Sequence, residues 1–239
     1  MDEWKYDPAK DLGLHGQERL KSLKRESGLI ATMGHHAWWC LLRSYLAVYH
    51  RLSIEGRENI PPAPPFIMIS NHSSHLDTLS LAAPLPAVLR DRIFPIAAGD
   101  TFFETPARAA MAALLINALP MWRRRAGRHA LDDLRERLIG EPCAYILFPE
   151  GTRTRDGSLG RFKPGIGMMV AESAVPVVPC FLEGAYAALP PKKRVPRPRK
   201  LRLRIGEPLV FEEATNDRAG WEAISARCRE AVLALESSD

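Results

Sequence analysis

Six short apolar runs punctuate the chain, at residues 52–54, 66–69, 93–97, 143–148, 175–181 and 201–205, and segments with helically spaced apolar residues lie between them. This alternation restricts the fold more than any other feature, because each strand must return to a sheet through a helix that covers one of its faces. The runs are nearly continuous in apolar residues, as expected of strands buried on both sides in a largely parallel sheet. Helices are expected at 76–89, 107–118, 129–139, 165–174 and 221–235. The fold class that follows is α/β, a single layered domain over residues 52–239 with a largely parallel or mixed sheet flanked by helices. A length of 239 residues suffices for one well-packed core without requiring a second.

Residues 1–51 read differently. Helical spacing runs from Gln17 to Arg51 with a break at Ser27 and Gly28, which gives an N-terminal amphipathic two-helix segment. In its second helix His36, Arg43 and His50 recur every seven residues beside Ser44 and Arg51, while Trp38, Trp39, Leu42, Tyr45, Leu46 and Tyr49 cover the rest. A wide apolar face with aromatic residues is expected to dock on a bilayer. It is not expected to cross one, since His35, His36 and Arg43 interrupt the stretch 29–49.

Charge points the same way without choosing a partner. The net charge of +5 and pI of about 9.2 favour phospholipid headgroups, phosphorylated substrates or nucleic acid. Much of the excess lies in 192–204, where Lys192, Lys193, Arg194, Arg197, Arg199, Lys200, Arg202 and Arg204 are interspersed with prolines. Cys40, Cys143, Cys180 and Cys228 form neither a C-x-x-C pair nor a zinc-type spacing, and no secretory signal opens the chain, so a reducing cytoplasmic setting is expected.

Sites in parallel sheets form where loops leave the carboxyl ends of strands. Two polar clusters stand there. The first, Asn71, His72, Ser73, Ser74, His75, Leu76 and Asp77, follows the run 66–69. A separation of five residues is about 140° on a helix, so His72 and Asp77 face each other only if His72 is in a loop and Asp77 in the first helical turn. There Asp77 can fix one ring nitrogen and leave the other to take a proton from a bound hydroxyl, the base of a serine-hydrolase triad with substrate in place of serine. Two other readings fit the same letters. Ser74 or Asn71 can cap a helix whose positive end suits Asp77. His72, His75 and Asp77 can also be metal ligands, although the metallohydrolase pattern needs histidines where Ser73 and Thr78 stand.

The second cluster, Phe148, Pro149, Glu150, Gly151, Thr152, Arg153, Thr154 and Arg155, follows the run at 143. A glycine that lets the backbone approach, a hydroxyl and a forked guanidinium suit a phosphate. A third basic group, Arg123 to Arg125, follows the apolar residues 119–121, and Arg124 and Arg125 read as solvated surface.

Together these residues resemble the glycerolipid acyltransferase family of the lysophosphatidate type. Residues 71–77 are similar to its N-H-x-x-x-x-D block and 148–153 to its F-P-E-G-T-R block. Residues 119–123, 175–179 and 56–61 resemble its remaining blocks more loosely, so that the likeness covers about 52–205. The resemblance implies that His72 deprotonates an acceptor hydroxyl that attacks an acyl thioester of coenzyme A or acyl carrier protein, with Asp77 orienting His72. It implies that Arg123 and Arg153 hold the phosphate of a lysophospholipid acceptor in a substrate site that includes Thr152, with Glu150 and Gly151 shaping the loop, and that Pro179 helps wall an acyl pocket. No metal or organic cofactor is expected, His75 falls in the motif's variable interior, and the enzyme is expected peripherally at the cytoplasmic face of an anionic membrane, with no nucleic-acid partner. Asn117 stands where the family often has glycine, and Asp100 where many members have lysine, which leaves the acceptor's identity open. A thioesterase using the same base, or a non-catalytic binding module, are the competing functions.

Overall fold

The computed structural model describes residues 13, 29–86, 89, 92–98, 119–121, 128–141, 143–193 and 195–237. In chain order these form α1 (Leu29–Val48), β1 (Ser53–Glu55), a 3-10 turn (Arg57–Asn59), β2 (Phe66–Ser70), α2 (Leu76–Ala82), β3 (Ile93–Ala98), β4 (Leu119–Met121) and α3 (Arg128–Gly140). There follow β5 (Ala144–Leu147), α4 (Gly165–Val170), β6 (Ser173–Glu183), α5 (Ala185–Ala188), β7 (Arg202–Ile205), β8 (Leu209–Phe211) and α6 (Arg218–Glu236).

The strands make one mixed sheet in the order β1-β7-β6-β2-β5-β3-β4, with β8 also paired to β6. The centre is parallel: β2 lies between β5 and β6, with Ile67 opposite Tyr145 on one side and Val177 on the other. β7 and β8 run antiparallel to β6. Every residue of β2 and β5 is buried, because helices cover both faces. Side chains alternate across the strand, so Phe66 and Met68 join the core under α1 and α2, whereas Ile67 and Ile69 join the core under α3, α4 and α6.

Several element ends depart from the sequence expectation. The helix expected over 76–89 stops at Ala82, since Pro84 and Pro86 carry no N–H to continue it. The one expected over 165–174 stops at Val170; Glu172 then takes φ 53 and the chain enters β6 at Ser173. β4 and β8, three residues each, were not expected as strands; neighbouring strands supply their pairing. The expected helix at 107–118 and the first N-terminal helix lie outside the described residues.

α1 turns its aromatic face inward, not outward as expected of a docking face. Trp39, Leu42 and Leu46 are buried in the core, and Trp38 and Tyr45 pack against it, so the wide aromatic face is spent on the domain. His50 is no part of a polar stripe: it follows the helix and is wholly buried, its Nδ1 bonded to the Arg199 carbonyl and its Nε2 to the Tyr45 hydroxyl. The outward side of α1 instead carries Leu41 and Val48, 64% and 79% exposed, in line with the exposed Gly34, Ala37 and Ser44. Among the described residues no helix is long and apolar enough to cross a membrane.

Candidate active site

The site grows from the carboxyl ends of β2 and β5, adjacent in the sheet. Beyond Ser70 the ladder between β2 and β6 is continued by a side chain: Asn71 Nδ2 donates to the Leu182 carbonyl at 3.0 Å and its Oδ1 accepts from Leu182 N at 2.9 Å. The Ser70 hydroxyl donates to the same Oδ1 at 2.9 Å. An amide that mimics a peptide group thus anchors the loop, and the backbone is released to turn at His72.

After the turn, the Ser74 hydroxyl accepts from Leu76 N at 3.1 Å and donates to the Leu189 carbonyl at 2.8 Å, which starts α2. Asp77 lies in the first turn of that helix, wholly buried. Its Oδ2 accepts from Ser73 N at 2.7 Å, Ser74 N at 2.8 Å and His72 Nδ1 at 2.9 Å. The carboxylate therefore shapes the loop and holds the imidazole in one step. Since Nδ1 carries the proton toward Asp77, Nε2 presents a lone pair. Phe148 stacks on the imidazole, with ring centroids 4.1 Å apart and 18° between planes, and the side chain keeps 22% of its surface open.

The β5 loop is tied to the β2 loop at three points. Glu150 Oε1 accepts from His72 N at 2.7 Å, Thr154 N donates to the His72 carbonyl at 2.8 Å, and the Arg153 guanidinium meets His75 Nε2. Glu150 is buried, and its other oxygen accepts from Gly160 N at 3.0 Å. Burial raises its pKa, opposed by these two backbone donors and by His72. Its carboxylate is thus engaged by the backbone of both loops. Gly151 has φ 72, and a Cβ there would stand 2.6 Å from Lys163 Nζ, so the lysine lies directly over the glycine turn. Beyond Arg153, Asp156 accepts from the Thr154 hydroxyl and from Ser158, bonds that hold its pKa down to about 2.

His72, Asp77, Glu150 and Arg153 are thus linked through direct hydrogen bonds and neighbouring residues, with Gly151 and the exposed Thr152 on the intervening turn. Pro179 stands apart: it is buried inside the sheet opposite Ile69, and its carbonyl accepts from Gly206 N. Arg123, Asn117 and Asp100 lie outside the described residues. Sequence reasoning places His75 only as a possible metal ligand or in the motif's variable interior, and no motif signals Lys163, twelve residues past Gly151. It also missed a cavity of about 260 Å³ behind the loop, bordered by Asn71, Ser73, Gly157, Tyr186 and the Arg204–Glu183 ion pair. That lining is too polar to shelter an acyl chain. Among the described residues no three His, Cys, Asp or Glu side chains are grouped as a metal ion would need.

The arrangement can accept a proton from a hydroxyl at His72 Nε2, and the adjoining loop carries the Arg153 guanidinium against His75. The thiols of Cys143, Cys180 and Cys228 are buried and their pKa values raised by burial, which suits none of them as a nucleophile.

A family model described as Acyltransferase matches residues 51–183. The chain is 29% identical over 181 residues to the 1-acyl-sn-glycerol-3-phosphate acyltransferase alpha of Mus musculus, an alignment covering 74% of this chain and 61% of that protein. It is 32% identical over 145 residues to a chloroplastic 1-acyl-sn-glycerol-3-phosphate acyltransferase of Arabidopsis thaliana, covering 59% of this chain and 38% of that one. The chain thus spans less than two thirds of the length of these relatives. The crystal structure of the 1-acyl-sn-glycerophosphate acyltransferase PlsC from Thermotoga maritima superposes with a TM-score of 0.64 over 87% of this chain and 80% of the other. At 23% identity that likeness establishes a common fold.

Proposed function

The chain belongs to the acyltransferase family, and from that premise we propose that it moves a fatty acyl group from an acyl thioester to the free hydroxyl of lysophosphatidate, giving phosphatidate. The observation that carries the reading is the His72–Asp77 pair: an imidazole fixed through Nδ1 at 2.9 Å, with Nε2 free of any hydrogen bond among the described residues. His72 Nε2 takes the hydroxyl proton as the acceptor oxygen bonds to the thioester carbon. The tetrahedral intermediate then collapses, the carbon–sulfur bond breaks, and the imidazolium returns the proton to the leaving thiolate. No acyl-enzyme is required, since the thioester already carries the activation. Arg153 binds the acceptor's phosphate as a forked donor.

The test is to supply purified protein with acyl-coenzyme A or acyl carrier protein thioesters and lysophosphatidate, following thiol release and product mass. Acylated acceptor is expected. Thiol release giving only free fatty acid, at a rate indifferent to the acceptor, would replace this reading by a hydrolase. Arg153→Ala should raise the acceptor KM with little change in kcat, because a phosphate contact is made in ground and transition states alike, and Lys at this position should rescue only partly. A donor KM that rises while the acceptor KM stays put would sink the phosphate assignment.

The same reading includes a membrane. The enzyme docks on the cytoplasmic face of an anionic bilayer through the outward side of α1, using Leu41, Val48 and the half-exposed Tyr49. The Tyr49 hydroxyl donates to the Pro196 carbonyl, which joins this face to the exposed Val195 and to Lys192, Lys193, Arg197, Arg199 and Lys200. Apolar side chains rimmed by cations suit a headgroup layer.

A further inference from the structure

We propose that Lys163 is a further phosphate-binding residue of the acceptor site, its ammonium pairing with the phosphate of lysophosphatidate over the Gly151–Thr152 turn. The inference rests on the reading of this protein as an acyltransferase of a phosphorylated acceptor, and adds to it a cation that lies outside both motif clusters. It begins from a close approach at Gly151. A Cβ there would stand 2.6 Å from Lys163 Nζ, 3.0 Å from Cε and 3.2 Å from Cδ, so the outer half of the lysine side chain lies along the turn. Gly151 permits this in two ways: it has no side chain, and its φ of 72 is a conformation that glycine adopts without strain.

The lysine is held there by its backbone. Its N–H donates to the Pro149 carbonyl at 2.9 Å, its carbonyl accepts from the Ser225 hydroxyl of α6 at 3.1 Å, and the preceding Phe162 is buried in the core. The side chain itself is exposed, and among the described residues its ammonium has no hydrogen bond or ion pair. Glu150, which adjoins the glycine, does not answer it: one carboxylate oxygen accepts from His72 N and the other from Gly160 N. Thr152, the next residue on the turn, is also exposed, and among the described residues neither its N–H nor its hydroxyl is hydrogen-bonded. A cation and two neutral donors thus share one exposed turn. A phosphate monoester suits such a set, because its terminal oxygens accept several hydrogen bonds at once and its charge is met by a compact ammonium.

The experiment measures lysophosphatidate KM, donor KM, kcat and melting temperature on the full chain for the wild type, Lys163→Met and Lys163→Arg. Methionine keeps an unbranched side chain over Gly151 and removes the charge, whereas arginine keeps the charge. Lys163→Met should raise the acceptor KM roughly tenfold, the scale of one hydrogen bond to a charged group. Its kcat, donor KM and melting temperature should stay near those of the wild type, since a phosphate contact is made in ground and transition states alike. Lys163→Arg should recover part of the loss. An unchanged acceptor KM in Lys163→Met, beside a wild type that acylates lysophosphatidate, would overturn the role of Lys163 and leave the proposed function standing. So would a rise confined to the donor KM, which would move the cation to the donor, or an equal loss in both variants with a lowered melting temperature, which would make the side chain a packing element. A wild type that acylates a monoacylglycerol as readily as lysophosphatidate would remove the phosphate site and this proposal together.

Discussion

His72 is held by so many bonds that its replacement should change chemistry more than structure. Its ring is partly open and contributes one hydrogen bond to Asp77, whereas its backbone N–H and carbonyl, which tie the loops, survive substitution. His72→Ala should therefore lower kcat by roughly 100- to 10,000-fold with a near-native melting temperature. Asp77→Asn could keep an oxygen for the three donors but cannot neutralise an imidazolium, and it should also cost most of kcat. Added chelator should alter neither the wild type nor the variants. Glu150→Gln makes the opposite trade. The amide can accept from His72 N or from Gly160 N but not both, so one buried donor is left over at about 1–3 kcal/mol. Because burial raises the Glu150 pKa above 4.5, its contribution to stability is fully present below that value and fades as pH rises through the folded value. Over that window the pH slope of unfolding free energy should flatten in Glu150→Gln; an unaltered slope would assign the effect elsewhere.

At the scale of elements, the site depends on where strands end. β2 supplies His72 because Asn71 extends its pairing with β6 by a side-chain rung and then lets go. Asn71→Ala would strip both Leu182 backbone groups of their partners in a buried setting, a loss of about 2–5 kcal/mol. Chemical denaturation should show that loss together with a fall in kcat, as the base loop loses its anchor. Asn71→Asp keeps the acceptor for Leu182 N but not the donor to its carbonyl, and should recover little. The packing of α4 on α6 needs a different device. A Cβ at Gly167 would stand 2.4 Å from Trp221 Cα, so the helices approach at a residue with no side chain. α6 itself begins at Asp217, whose carboxylate accepts from Gly220 N at 2.7 Å.

For the molecule as a whole, one face of α1 belongs to the core and the other to whatever the protein rests on. Leu41→Glu combined with Val48→Glu should weaken sedimentation with anionic vesicles without lowering the melting temperature, since both side chains are exposed. Binding should also decline from 0.1 to 0.5 M salt if the cations of 192–200 contribute. Vesicle binding untouched by both the substitutions and the salt would place the docking surface elsewhere. Trp39→Glu is the contrasting control: it should unfold the protein, because that side chain is 3% exposed within the core.

The sequence by itself determined the α/β alternation, the carboxyl-end location of the two motifs and the need for a turn between His72 and Asp77, since each follows from local periodicity and helix geometry. It could not say which face of α1 is covered, because an amphipathic pattern records that a face is apolar and not what meets it. Only the tertiary structure decided that Trp39 faces the sheet and Leu41 the outside, that three-residue strands pair at β4 and β8, and that Glu150 bonds the His72 backbone across 78 positions of chain. The same holds for His75 and Arg153, also 78 positions apart. Contacts between distant residues leave no local periodicity in one chain, so they become legible only when the sheet brings the ends of β2 and β5 together.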